Sequence, residues 1–192
     1  MEQLTILNEN NEPIGTMERT KVHESGHWHE TFHCWIVHEE DVYVQRRSAE
    51  KIDFPSLFDC TVAGHLLADE KKDDGVREIE EEIGLAVTYD ELVYEGIIPD
   101  EMIRGKWQDR EFAHVHTYDY ALRQSDIRLQ EEEVEGLYLM KRLNLARLLR
   151  GHIRESVAYR FGTGERVIVT KKDFVPHTEH YYEGVVQLLM KV

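Results

Sequence analysis

Residues 77–85 read REIEEEIGL and place four glutamates, Glu78, Glu80, Glu81 and Glu82, within five positions of a chain whose formal net charge is already −15. Carboxylates this dense suit the holding of a hard divalent cation, because Mg²⁺ is bound through one or a few carboxylates together with substrate phosphate oxygens. On a wheel of about 100° per residue, Val76, Ile79 and Ile83 share one arc and Glu78, Glu81 and Glu82 an adjoining one, while Glu80 points away. Glu78 therefore meets like charges at i+3 and i+4, and each such pair costs an exposed helix about 0.2–0.5 kcal/mol. Arg77, four residues before Glu81, relieves part of this repulsion. The remainder asks for another cation, although a solvated acidic face would carry the same residues.

The elements that must position this helix read mostly as strands. LTILNENNEPIGTMER has the form of an N-terminal hairpin, and TFHCWIVHEEDVYVQRR repeats the plan around the acidic turn HEED. FDCTVAG is a short strand closed by Gly64, and EFAHVHTYDYAL alternates as a longer one. LNLARLLRGHI spaces its leucines for a helix that Gly151 can end; RFGTGERVIVTKKDFVP reads as a small hairpin and EHYYEGVVQLLMKV as a closing helix. The order predicts an α/β (α+β) fold, a mixed β-sheet packed between helices, in one domain over residues 1–192 with 152–192 as a C-terminal extension. GTG at 162–164 is too short for a phosphate loop.

Composition narrows the partners. With 38 acidic and 23 basic residues, general affinity for nucleic acid or anionic membranes is not expected, because the long-range field opposes it. No apolar run approaches the ~18 residues of a membrane span, and the N-terminus has no secretory pattern, so a cytoplasmic location is expected. Cys34 and Cys60 have no metal or disulfide spacing and read as buried small hydrophobes.

The whole segment GHLLADEKKDDGVREIEEEIGL is more specific than its glutamates. Gly64, five residues, Glu70, then Arg77 to Leu85 closely resembles the Nudix box, and the last nine positions fit it throughout. The family usually has seven residues between the box glutamate and the arginine; KKDDGV supplies six. Either the turn is one residue shorter or Asp69 takes the place of Glu70. The resemblance implies the Nudix fold and hydrolysis of a diphosphate linked to another group X, with a small-molecule diphosphate as partner. It also implies Mg²⁺ or Mn²⁺ on Glu78, Glu81 and Glu82, Arg77 holding those glutamates, and Glu81 or Glu82 orienting or deprotonating water. Nudix proteins are often dimers, so a homodimer is a further expectation.

VHESGHWHETFHCWIV, VYVQRRS and DCTVAGH are similar to Nudix proteins related to isopentenyl diphosphate isomerase, over roughly residues 5–150. That resemblance implies a second metal site at His23, His29, His65 and Glu111, with Asp109 as an additional ligand; such donors suit Mn²⁺ or Zn²⁺. Glu111, at the start of an alternating strand, is a candidate base, and Arg46, Arg47, Arg104 and Lys106 are candidate phosphate or X-group contacts. The cysteine that those isomerases carry before the box glycine is Ala63 here. Cys60, three residues earlier, should face the opposite way if both lie on one strand. The intact box and Ala63 favour hydrolysis over isomerisation, and a non-catalytic Nudix-fold binder would have less need of three clustered carboxylates.

Overall fold

A computed structural model describes residues 2–104 and 107–191, with Arg104 and Trp107 described by backbone alone. β1 (Gln3–Leu7) and β2 (Pro13–Glu18) form the N-terminal hairpin. α1 (Arg19–Ser25) follows, a seven-residue helix closed by Gly26 in the left-handed region (φ 66). β3 (Trp28–His38) and β4 (Asp41–Arg47) are antiparallel neighbours across the HEED turn. After β5 (Phe58–Asp59) and β6 (Val62–His65), a 3₁₀ turn at Asp74–Val76 runs into α2 (Arg77–Ile83). β7 (Val93–Arg104) and β8 (Trp107–Asp119) form a long antiparallel pair. β9 (Val134–Lys141), α3 (Arg142–Leu149), β10 (Ser156–Arg160), β11 (Arg166–Val169) and α4 (Glu179–Leu189) complete the chain.

The sheet is mixed, with order β11-β10-β9-β4-β3-β1-β2; β3 also pairs with β6 and runs parallel to β8. Strand residues alternate between two faces, and each face builds its own core. Phe32, Cys34 and Ile36 of β3 pack with Ile79 and Ile83 of α2. Trp35 and Val37 pack on the other side with Leu145 and Leu148 of α3 and Tyr181 and Val185 of α4. The sheet is therefore held between α2 and the α3–α4 pair, as the α+β reading expects.

Two local expectations change. FDCTVAG is not one strand: the chain bends between β5, which pairs with β4, and β6, which pairs with β3. Cys60 sits in the bend, fully buried with Sγ on the Val62 carbonyl at 3.2 Å. The same-strand argument about Cys60 and Ala63 therefore does not apply; Cys60 is part of the core cluster against which Ala63 packs. α1 was not foreseen, because seven residues carry too little apolar periodicity to announce a helix.

Candidate active site

The floor of the site is one face of the β3–β8 pair. Their parallel register places His29 beside Glu111 and His33 beside Val115. Alternate residues along this face change from polar to apolar: His29, Thr31 and His33 give way to Trp35 and Val37, and Asp109 and Glu111 to Ala113 and Val115. The apolar half is core. The polar half opens into a cavity of about 480 Å³.

α2 forms one wall. Ile79 and Ile83 are fully buried, which turns Glu78 and Glu82 towards the cavity as the wheel predicts, while Glu80 faces solvent. Glu82 is 5% exposed, accepting from the Ala63 amide at 3.3 Å and from Gln45 Nε2 at 3.1 Å. Burial, reinforced by Glu78, pushes its carboxyl up to about 8. Burial likewise raises Glu78 to about 7, with the Glu81 charge adding to it against the opposing pull of Arg77. Gly64 makes room for Glu78, since a Cβ there would lie 2.0 Å from the Glu78 carboxyl carbon. Glu81 lines the same cavity with half its side chain exposed.

Arg77 organises this wall. It grips Glu70 with Nε and Nη2 at 2.5 and 2.9 Å, donates through Nη1 to Glu78 at 2.7 Å and Glu81 at 3.0 Å, and meets the His65 carbonyl at 3.1 Å. A guanidinium fork fits a carboxylate in this bidentate way. Glu70, which also accepts from the Leu67 amide at 2.8 Å, therefore makes the contact left open between it and Asp69; Asp69 is exposed. The short connection from Glu70 enters α2 through the 3₁₀ turn, where Gly75 lies so close to Phe32 that a Cβ would come within 2.7 Å of its side chain.

A second donor group lies at the other end of the floor. α1, β3 and β6 bring the ring nitrogens of His23, His29 and His65 within 4.8 Å of one another, and His29, Asp109 and Glu111 form an overlapping group of the same size. His23 Nδ1 is 3.1 Å and His29 Nε2 3.5 Å from Asp109 Oδ1. Burial holds His29 below the usual imidazole range against the pull of Asp109 and Glu111, and holds His65 well below it, helped by Arg19. Asp109, despite its burial, is held below the usual carboxylate range, first by its hydrogen bond with His23. Neutral imidazoles beside an ionised carboxylate are what a divalent metal requires of its ligands, and His65 Nε2 is buried with no hydrogen-bond partner among the described residues. Among the described residues the histidine group and its Asp109–Glu111 neighbour are assembled closely enough to share one ion, whereas Glu78, Glu81 and Glu82 do not come together as a group of that size.

Glu111 accepts from Thr31 Oγ1 at 3.3 Å and lies 3.4 Å from His33 Nε2. Of the candidate cations, Arg47 lines the cavity but Arg46 does not: alternation on β4 turns Arg46 to Glu135 and the Ser56 carbonyl. Arg104 and Lys106 lie outside the described side chains. Lys51, paired with Glu133, and Arg19, paired with Glu2, line the cavity instead. His177, between β11 and α4, completes the far wall between Asp59 and Asp100. Sequence reasoning missed it, since its partners lie 118 and 77 residues away and no local pattern marks VPHT. Burial would lower His177, but the two carboxylates push it up to about 10.

This geometry agrees with comparison to known proteins. The NUDIX domain family matches residues 27–160. An uncharacterized Nudix hydrolase of Clostridium acetobutylicum is 40% identical over 98% of this chain and 97% of that protein. Isopentenyl-diphosphate Delta-isomerase 1 of Photorhabdus laumondii is 30% identical over 45% of the chain and 51% of the isomerase. The structure of DR0079 from Deinococcus radiodurans superposes with a TM-score of 0.57 at 22% identity, over 78% of this chain and 90% of that one, which shows a shared fold. With the box, the sheet and these relatives in agreement, the chain belongs to the Nudix superfamily of hydrolases acting on diphosphate bonds, and part of it is similar to isopentenyl diphosphate isomerases.

Proposed function

We propose that the protein is a metal-dependent hydrolase that cleaves the diphosphate linkage of an organic diphosphate, a nucleoside diphosphate-X or a related compound. The observation that carries this reading is a cavity lined by buried carboxylates whose charged forms are disfavoured without a counter-ion, Glu78 and Glu82, facing Arg47 and Lys51. An anionic substrate enters such a cavity only with cations between the two. Glu78, Glu81 and Glu82 would hold Mg²⁺ or Mn²⁺, with His23, His29, His65, Asp109 and Glu111 as the second set of donors. Such ions neutralise diphosphate oxygens and lower the pKa of bound water.

The chain's own groups do the rest. Arg77 fixes the helix carboxylates, and Arg47 and Lys51 receive phosphate oxygens. Glu81, Glu82 or Glu111 takes the proton as water oxygen attacks phosphorus and the bridging P–O bond breaks, leaving two phosphate products. A second chamber of about 850 Å³ adjoins the cavity, shares Phe54, Met102 and Val175 with it, and continues to Leu57, Phe174 and Tyr182. Its lining supports an X group with a substantial apolar part.

The histidine group favours a second reading, isomerase-like turnover of an isoprenoid diphosphate, and Ala63 in place of the isomerase cysteine weighs against it. A cytoplasmic site of action and a homodimer belong to the same proposal. Among the described residues no helix is long and apolar enough to cross a membrane.

The test is a panel of nucleotide sugars, dinucleotides, nucleoside triphosphates and isoprenoid diphosphates with Mg²⁺ or Mn²⁺, run on the native chain, Glu81→Gln and Glu82→Gln. Phosphate release and double-bond migration are followed separately. Metal-dependent release that drops about 10²-fold or more in the glutamine variants is expected, in line with the loss of a general base. No metal-dependent turnover of any compound, or turnover unchanged in both variants, refutes the hydrolase.

A further inference from the structure

The segment between β11 and α4 lies beyond the family match at 27–160, yet it reaches back to the active-site wall. Val175 N donates to the Phe58 carbonyl at 2.9 Å, and Phe174 bridges Phe58 in parallel, so the segment lies against β5. His177 then inserts between two strands that carry acids. Its Nδ1 is 2.6 Å from Asp100 Oδ2 on β7, and its Nε2 is 3.1 Å from Asp59 Oδ1 on β5.

An ionised carboxylate can only accept hydrogen bonds, so both ring nitrogens must donate, and His177 is an imidazolium. Both acids have further reason to stay ionised. Asp100 accepts from Thr178 N at 2.9 Å and Thr178 Oγ1 at 2.6 Å, and Asp59 accepts from Cys60 N at 2.8 Å. Asp59 has a second cationic neighbour, Arg47, whose Nη1 stands 3.6 Å from Asp59 Oδ2. Arg47 is otherwise anchored on Asp53, through the carboxylate at 2.6 Å and the carbonyl at 3.0 Å, both from Nη2. Its Nη1 is thus drawn towards Asp59 without being captured.

We propose that His177 is a positioning residue of the active site: by occupying Asp59, it keeps that carboxylate from closing on Arg47 and leaves Arg47 Nη1 presented to the cavity for a phosphate oxygen. Without His177, Asp59 has Arg47 as its nearest cation and pairs with it fully. A purely structural His177 would hold the segment to the sheet and nothing more. The inference rests on the hydrolase reading only for the ligand that Arg47 meets.

Two readouts test it on the full-length protein: calorimetric affinity for inorganic diphosphate in Mn²⁺, and the NMR resonance of the Arg47 Nε–Hε group without ligand. His177→Asn is expected to weaken diphosphate by about tenfold, a loss of ~1.4 kcal/mol, and to shift the Arg47 resonance. Adding Asp59→Asn to it should reverse both, because the competing charge is gone. A structural role predicts the opposite, a double variant worse than the single one. If His177→Asn does not fold, Asp59→Asn alone decides: it is expected to bind diphosphate at least as tightly as the native chain, and weaker binding overturns the proposal. An unmoved Arg47 resonance in His177→Asn also overturns it. If the native protein binds no inorganic diphosphate, the resonance alone judges the role of His177, and the hydrolase reading is judged separately by its turnover panel.

Discussion

Glu78 and Gly64 form a matched pair. A methyl group at Gly64 meets the far end of a flexible side chain rather than backbone, so Gly64→Ala should leave the melting temperature nearly unchanged while displacing the Glu78 carboxylate. Displacement of about 1 Å can cost about 10²-fold in rate, and a loss of that order in metal-dependent turnover with an intact circular dichroism spectrum is the expected result. Glu82 yields a prediction of opposite signs. Its carboxylate is buried and raised to about 8, so at pH 8 without metal the protein bears the cost of a partly ionised buried acid. Glu82→Gln keeps the Oε acceptor for the Ala63 amide. It should raise the melting temperature measured in chelator by several degrees, on the order of 1–3 kcal/mol, while reducing the gain in melting temperature expected on adding Mn²⁺, the histidine group being left intact.

At the scale of elements, the parity of β3 and β8 decides which residues can meet, and much of it was legible. The 3.6-residue period on α2 separated Glu78 and Glu82 from Glu80, while Asp109 was named beside Glu111 only through the isomerase resemblance, and β8 places the two on one face. The same parity distinguishes Arg47 from Arg46, but which face of β4 would look onto the site depended on its pairing with β5 and β9. α1 was illegible because it is short, and the strand break after Asp59 because it is set by two different partner strands. His177 was illegible for a plainer reason: its role is created by contacts with β5 and β7. Removing Arg77 should test the α2 wall as a unit. Arg77→Lys keeps the charge but loses the fork to Glu70, and a fall in activity larger than the fall in stability is expected from parallel assays and melts.

For the molecule as a whole, His177 ties the C-terminal segment to two strands of the sheet, and the tie depends on protonation. Its folded pKa of about 10 lies above the 6.5 of a free imidazole. The stabilisation is therefore complete below about pH 6.5 and is lost as pH rises through about 10. Melting curves from pH 6.5 to 10 should show the native chain losing several degrees more than His177→Asn, which has no such proton to lose. Charge at this scale runs the other way from the substrate's: a chain at −15 repels a free diphosphate and attracts the cations that must come with it.

The polar floor and the apolar core are one continuous strand face, with His33 followed two residues later by Trp35, and Glu111 by Ala113. A machine tool cut from the same casting as its bed cannot drift out of alignment, and cannot be adjusted either. Fitting a substrate thus falls to the loop wall opposite, where Phe54 and Ser56 hold left-handed backbone (φ 48 and 61) that non-glycine residues adopt at a cost. On the proposed function, selectivity for X can change there, through substitutions at Phe54, Pro55 and Leu57, which line the second chamber, without recasting the chemistry beneath it.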